Sequence, residues 1–133
     1  MTKISRIVAR QIFDSRGNPT IEAEVFSGKV SASAICPSGA STGTYEAFEK
    51  RDKSNKKYLG KSVFKAIDLI NKKISKKLQG QNIHNQERID SIMINLDGTK
   101  QKIKLGANAI LAVSMASKKL SAKLKKKTSL QMF

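Results

Sequence analysis

Residues 21–36 read IEAEVFSGKVSASAIC, and the alternation within this stretch decides the fold class. From Ile21 to Val25 every second residue is apolar and the residues between are glutamates. A period of two is typical of a half-buried β-strand. The pattern resumes from Val30 to Cys36, after the short sequence Ser27-Gly28-Lys29. A connection of this length that contains glycine predicts a β-hairpin.

The residues before the hairpin predict a further strand. Ile4 to Phe13 is rich in β-branched residues, which favour extended structure. Asp14 to Pro19 is dense in turn-forming residues and separates this stretch from the hairpin. We therefore expect a three-stranded antiparallel meander over about residues 3–36.

Beyond residue 60 the apolar residues recur with a helical period. They mark one face of a first helix, for which Ser62 is the expected N-cap and Gly80 the stop signal. Its lysines fill the opposite face. The apolar residues of this first helix are Val63, Ile67, Ile70, Ile74 and Leu78.

Two more helices are expected after the first. Apolar residues between Ile89 and Leu96 predict a short helix, which Asp97-Gly98 ends. A longer helical pattern begins at Ala107, and the last residues, Ser129 to Phe133, look like the start of another element. Strands followed by helices define an α+β fold, here a meander and then a helical bundle over about residues 61–126.

Composition limits the classes of function. The chain has 133 residues, enough for one domain with a buried core. No apolar run is long enough for a membrane span, and the first residues lack the apolar core of a secretory signal. The single cysteine, Cys36, cannot form an intrachain disulfide and is expected to be a small core residue. A cytoplasmic location is therefore expected by default. The formal net charge of +16 favours non-specific binding of polyanions.

The stretch Pro37-Ser38-Gly39-Ala40-Ser41-Thr42-Gly43 joins the strands to the helices and consists mostly of small residues. Such a loop can change shape at little packing cost, and its backbone N–H groups can approach an anion closely. Its hydroxyls are hard oxygen ligands suited to Mg²⁺. A plain surface connection explains the same composition. The loop is not a P-loop, because Thr44 follows its last glycine.

One Cys and one His give no zinc spacing, and His84, in a polar stretch, is expected to be a loop residue.

Several long blocks, in the same order along the chain, resemble the enolases. They cover nearly the full length, although Gln11, Phe13, Ser62 and Lys100-Gln101 depart from the usual family pattern. The blocks are Ala9-Arg10, Asp14 to Thr20 with Glu22, Pro37 to Gly43, Tyr45 to Ala47, Glu49 to Asp52, Tyr58 to Lys61 and Leu105 to Ser114.

The resemblance implies that residues 1–133 are the N-terminal capping domain of a larger enzyme. Enolases interconvert 2-phosphoglycerate and phosphoenolpyruvate in glycolysis, and their catalytic residues and first Mg²⁺ site belong to a C-terminal barrel that these residues do not include. In the wider superfamily a Lys or His base acts beside one or two Mg²⁺ ions that stabilise an enediolate. The resemblance implies no activity for this chain alone.

The resemblance also assigns roles to individual residues. Residues 37–44 match the mobile lid of the active site, in which Ser41 matches a ligand of the second Mg²⁺. Arg10 and Glu22 match positions that form ion pairs across a homodimer interface. The lid positions matched to substrate contacts or to the closing segment are Ser38, Gly39, Ala40, Thr42 and Gly43.

The rival hypothesis is a basic nucleic-acid-binding module, or a platform for other interactions. It rests on the lysine content, since the chain has no Trp, two Tyr and no aromatic pattern of the kind that stacks bases. Lysines on the solvent side of amphipathic helices also occur in proteins that bind no nucleic acid.

Overall fold

The computed structural model describes residues 2–36, 50–52, 63–102 and 104–131, with side chains as far as residue 127 in the last range. Three strands come first: β1 (Arg6–Phe13), β2 (Pro19–Ser27) and β3 (Val30–Ile35). They form one antiparallel sheet in the order β1-β2-β3. The predicted meander is confirmed.

The turns between the strands follow from their residues. Asp14 accepts hydrogen bonds from the backbone N–H groups of Arg16 and Asn18, each at 2.9 Å, through its Oδ1 atom. In the second turn Gly28 has a φ of 62°, a left-handed conformation that glycine adopts without steric cost. The first turn sets the register in which Ala9 lies opposite Ala23, and the second sets the register in which Ala23 lies opposite Ala34.

The first helical stretch is continuous but not uniform. It consists of α1 (Phe64–Leu69), a π-helical turn (Ile70–Ile74) and α2 (Ser75–Leu78). Its predicted apolar face is confirmed, since Val63, Ile70, Ile74 and Leu78 are buried and Ile67 packs against the core. Ser62 lies outside the described residues. The N–H groups of Phe64 and Lys65 donate to the carboxylate of Asp52, at 3.0 and 3.1 Å.

The other helices are α3 (Gln86–Asp97) and α4 (Ala107–Gln131). Gly98, with a φ of 71°, ends α3 where the sequence predicted. The expectation of a new element at Ser129 was wrong, because α4 continues to Gln131. No glycine or proline interrupts residues 107–131, and their lysines have a high helix propensity. Among the helices that the structure describes, none is both long and apolar enough to cross a bilayer.

The helices cover one face of the sheet. α4 packs mainly on β2 and β3, while the π-helical turn and its flanking helices pack on β1. Alanines occupy the middle of the sheet and much of the facing side of α4, and such small side chains permit close approach of helix and sheet. Within the sheet and α4, the alanines that are fully buried are Ala23, Ala109, Ala112 and Ala116.

Side chains from the helices also cover the free edge of β1. Asn71, in the π-helical turn, accepts a hydrogen bond from the Ala9 N–H at 2.8 Å and donates one to the Ala9 carbonyl at 3.3 Å. Ser75 accepts a longer bond, of 3.4 Å, from the Ile7 N–H. These contacts fix β1 and the helices in one arrangement.

Candidate functional site

The loop residues singled out by the sequence, Pro37 to Gly43, lie outside the described residues, as does Thr44. Their predicted roles are therefore still predictions. The structure does describe Cys36, which precedes residues 37–49, and Lys50, Arg51 and Asp52, which follow them. These flanking residues constitute the candidate site, because they determine where the intervening chain is attached.

Cys36 is held against the beginning of β2. Its N–H donates to the Ile21 carbonyl at 2.9 Å, and the Thr20 hydroxyl donates to the Cys36 carbonyl at 2.7 Å. Thr20 and Cys36 are both buried, with 3% and 4% of their surfaces exposed. The predicted core position of Cys36 is confirmed.

Lys50 is held at the beginning of α4 by its backbone. Its N–H donates to Asn108 Oδ1 at 2.9 Å, and its carbonyl accepts from Asn108 Nδ2 at 3.0 Å. The contact is close because residue 106 is glycine, with a φ of 91°. A Cβ atom there would lie 2.5 Å from the Lys50 Cβ and 2.6 Å from Asn108 Oδ1.

Arg51 and Asp52 extend this attachment to two further elements. Arg51 Nη1 donates to the Pro19 carbonyl at 2.8 Å, at the first residue of β2. Asp52, only 3% exposed, caps α1 as described above. Both ends of residues 37–49 are thus attached at Pro19, Thr20 and Ile21, and the following end is also attached to α1 and α4.

The connection that leads into α4 is organised by Asp97, which is fully buried. Its Oδ2 atom accepts from the Leu105 N–H at 2.7 Å, and its Oδ1 atom accepts from the Thr99 N–H at 3.0 Å and from the Thr99 hydroxyl. Burial alone would raise the pKa of Asp97. The hydrogen bonds from Thr99 and Leu105, together with the charge of Lys102, outweigh burial and lower the pKa below its ordinary value. The ionised carboxylate therefore helps to place Gly106 and Asn108.

Arg10 and Glu22, the predicted dimer-interface residues, lie together on the face of the sheet opposite the helices. Arg10 bridges two carboxylates, Glu22 at 2.7 Å and Glu24 at 2.6 Å. Glu24 also accepts from the Ser31 hydroxyl at 2.8 Å. Glu24 was not among the predicted site residues, although its position two residues after Glu22 places both on the same face of β2. Within one chain Arg10 offsets only one of the two carboxylate charges, and the role of Arg10 and Glu22 between subunits is still a prediction.

His84 lies in the turn between α2 and α3, which confirms its predicted loop position. Its Nδ1 atom is 2.7 Å from the Ser121 hydroxyl oxygen, so the ring joins this turn to α4. Among the described residues, no three His, Cys, Asp or Glu side chains are grouped so that they could hold a metal ion.

Comparisons with known proteins give a consistent result. A family model described as "Enolase, N-terminal domain" matches residues 4–132. The enolase of Pelagibacter ubique (strain HTCC1062) is 78% identical over 125 residues, which are 94% of this chain and 30% of that protein. The enolase of Methanococcoides burtonii (strain DSM 6242) is 53% identical over 119 residues, 90% of this chain and 28% of that protein. The chain thus spans less than a third of the length of these curated relatives.

Proposed function

Because the chain belongs to the enolase family, whose N-terminal domain it matches, we propose that it serves as the capping part of a longer enzyme. That enzyme interconverts 2-phosphoglycerate and phosphoenolpyruvate, as a carbon–oxygen lyase of glycolysis. A C-terminal barrel supplies the catalytic acid and base and the ligands of the first Mg²⁺. The chain alone is inactive. The small share of each relative's length that it covers supports this division of labour.

We propose that residues 37–44 form the lid of the active site. The observation that carries this proposal is the attachment of both flanking ends to Pro19, Thr20 and Ile21. The two fixed ends flank residues 37–49, and the small residues at the beginning of this segment can change shape without displacing the sheet or the helices. Its closure over substrate excludes water from the reaction. Ser38, Gly39, Ala40, Thr42 and Gly43 make the contacts with the substrate or complete the closing segment.

Ser41 is the proposed ligand of the second Mg²⁺. Its hydroxyl and carbonyl oxygens are hard donors of the kind that Mg²⁺ prefers, and a site with one protein residue from this chain leaves room for substrate oxygens and water. When bound, Mg²⁺ offsets the negative charge that accumulates on the substrate carboxylate as the neighbouring proton leaves. The role of this chain is to bring Ser41 to the metal and to exclude water from the active site.

We further propose that the longer enzyme is a homodimer or a higher oligomer in which Arg10 and Glu22 face a partner subunit across a two-fold interface. Their position on the sheet face away from the helices supports this role. Arg10 keeps 42% of its side chain exposed and Glu22 keeps 22%. Each can therefore accept a second partner of opposite charge.

The experiment is the Mg²⁺ dependence of the intact enzyme that contains this chain. Ser41→Ala is expected to raise the Mg²⁺ concentration needed for activation while binding of the first metal ion, measured by calorimetry without substrate, is unchanged. Ser33→Ala, at an exposed position of β3, is the matched control. An unchanged Mg²⁺ dependence in Ser41→Ala would remove the assignment of the second metal ligand.

A further inference from the structure

A groove lined by lysines lies where the hairpin between β2 and β3 meets the C-terminal half of α4. Its volume is about 430 Å³, and it opens widely to solvent. Lys29, in the hairpin turn, contributes one wall, and residues of α4 contribute the other. The described residues that line it are Lys29, Val30, Ser31, Lys123, Lys126 and Lys127.

Lys123, one of the four lysines that line the groove, connects its two walls. Lys123 Nζ donates to the Ser31 carbonyl at 2.7 Å, which ties α4 to the beginning of β3. Lys29, Lys126 and Lys127 are exposed and form no ion pair with any carboxylate among the described residues. Glu24, which binds the Ser31 hydroxyl, is already engaged by Arg10 at 2.6 Å. Three ammonium groups are therefore left facing the groove without a described counter-charge.

The sequence around the groove adds to the excess of positive over negative charge. Residues 98–133 contain no Asp or Glu. The helix dipole favours lysines in the last turn of a helix, but the last turn of α4 contains no basic residue, so the dipole does not explain the charge on α4. Nor does it account for Lys29, which lies in a turn and is brought to the same groove only by the fold. The lysines of residues 98–133 are Lys100, Lys102, Lys104, Lys118, Lys119, Lys123, Lys125, Lys126 and Lys127.

We propose that this groove binds a linear polyphosphate chain. Successive phosphates carry closely spaced charges that the lysines of both walls can neutralise together, with release of counterions. None of the described lining residues is aromatic, so the groove offers no stacking surface for the bases of a single-stranded nucleic acid. It is open rather than enclosed, which fits a chain that lies along it better than a small anion. This inference does not depend on the proposed lyase activity.

The test measures binding of long-chain inorganic polyphosphate to the full 133-residue chain by fluorescence anisotropy over a series of salt concentrations. The groove variant is Lys29→Gln/Lys126→Gln/Lys127→Gln. The matched control is Lys65→Gln/Lys73→Gln/Lys76→Gln, at exposed positions of α1, the π-helical turn and α2. Each variant lacks three lysines, so both have the same formal net charge. Circular dichroism establishes that each is folded, and Lys29→Gln alone tests the hairpin wall without altering α4.

The groove variant is expected to bind polyphosphate at least tenfold more weakly than the control does. Its slope of log K against log salt should also be shallower by about 2, since each phosphate contact of a single-stranded polyanion contributes roughly 0.7. Equal losses in the two triple variants would show that overall charge is responsible and would overturn the groove assignment. Tighter binding of a single-stranded RNA with the same number of phosphates would overturn the choice of ligand.

Discussion

Gly106 lies so close to Lys50 that a single added carbon atom would not fit: a Cβ on Gly106 would be 2.5 Å from the Lys50 Cβ. Through this close approach, the side chain of Asn108 binds both backbone polar groups of Lys50. Two residues 58 positions apart are thus joined at Lys50, the first described residue after residues 37–49.

Gly106→Ala is expected to destabilise the fold by more than its backbone conformation alone requires. A left-handed conformation costs a non-glycine residue about 1–2 kcal/mol, and overpacking adds about 1–3 kcal/mol. Gly80→Ala is the control, because Gly80 also has a positive φ, of 88°, but a Cβ there would meet nothing within 4 Å. Urea denaturation of the two variants measures the difference. Equal losses of stability in the two variants would mean that Lys50 moves away from the added Cβ without an energetic cost.

Asn108→Ala is expected to leave the backbone of Lys50 without its two partners. We expect a loss of about 1–3 kcal/mol in the free energy of unfolding, and faster hydrogen exchange at the Lys50 amide, measured by NMR. Asn95→Ala, at an exposed position of α3, should change stability by less than about 0.5 kcal/mol. Exchange at the Lys50 amide that is no faster in Asn108→Ala would argue against the attachment.

Asp52→Ala is expected to destabilise α1 because two N–H groups of its first turn lose their acceptor. The loss should be about 1–2 kcal/mol, as for other N-terminal caps. Asp68→Ala is a suitable comparison, since Asp68 is 60% exposed and its one ion pair among the described residues is with Lys72, at 3.1 Å. An exposed pair of this kind contributes about 0.2–1 kcal/mol. Similar losses on thermal unfolding of the two variants would contradict the assignment of Asp52 as the cap.

Asp97 predicts a pH dependence of stability. Its pKa is lowered in the folded state, so its contribution is fully present above the unfolded pKa of about 3.9. That contribution is lost as pH falls through the lower folded pKa. The stability difference between the wild type and Asp97→Asn should therefore be largest near pH 6 and shrink below about pH 4. Urea denaturation of both proteins between about pH 2.5 and 7 measures it, and a difference independent of pH would contradict the prediction.

The sequence predicted the elements of this fold better than the contacts between them. Period-two alternation identified β2, and the helical spacing from Val63 to Leu78 identified the buried face of the first helical stretch. Local patterns could not reveal that Asp52 caps α1, because Asp52 and Phe64 are 12 positions apart and the sequence between them contains no signal that brings the two together. Local sequence predicted the nearby Ser62 as the cap, and this is still a prediction because Ser62 lies outside the described residues.

The candidate site shows the same limit. A loop of small residues is visible in the sequence, but its points of attachment depend on pairs far apart, such as Arg51 with Pro19, separated by 32 positions. The lysine groove depends on Lys123 reaching Ser31, 92 positions away. Composition indicated an affinity for polyanions without indicating where on the surface it would be concentrated.

The side-chain amide of Asn71 has a consequence for how the sheet meets other molecules. A strand that added to the free edge of β1 would need the N–H and carbonyl of Ala9, and Asn71 already occupies both. One primary amide thus imitates the peptide unit of an incoming strand, with its own donor and acceptor. Asn71 therefore hinders another chain from pairing with the edge of β1, which is a common route to aggregation. The protection requires one polar residue in the helical stretch.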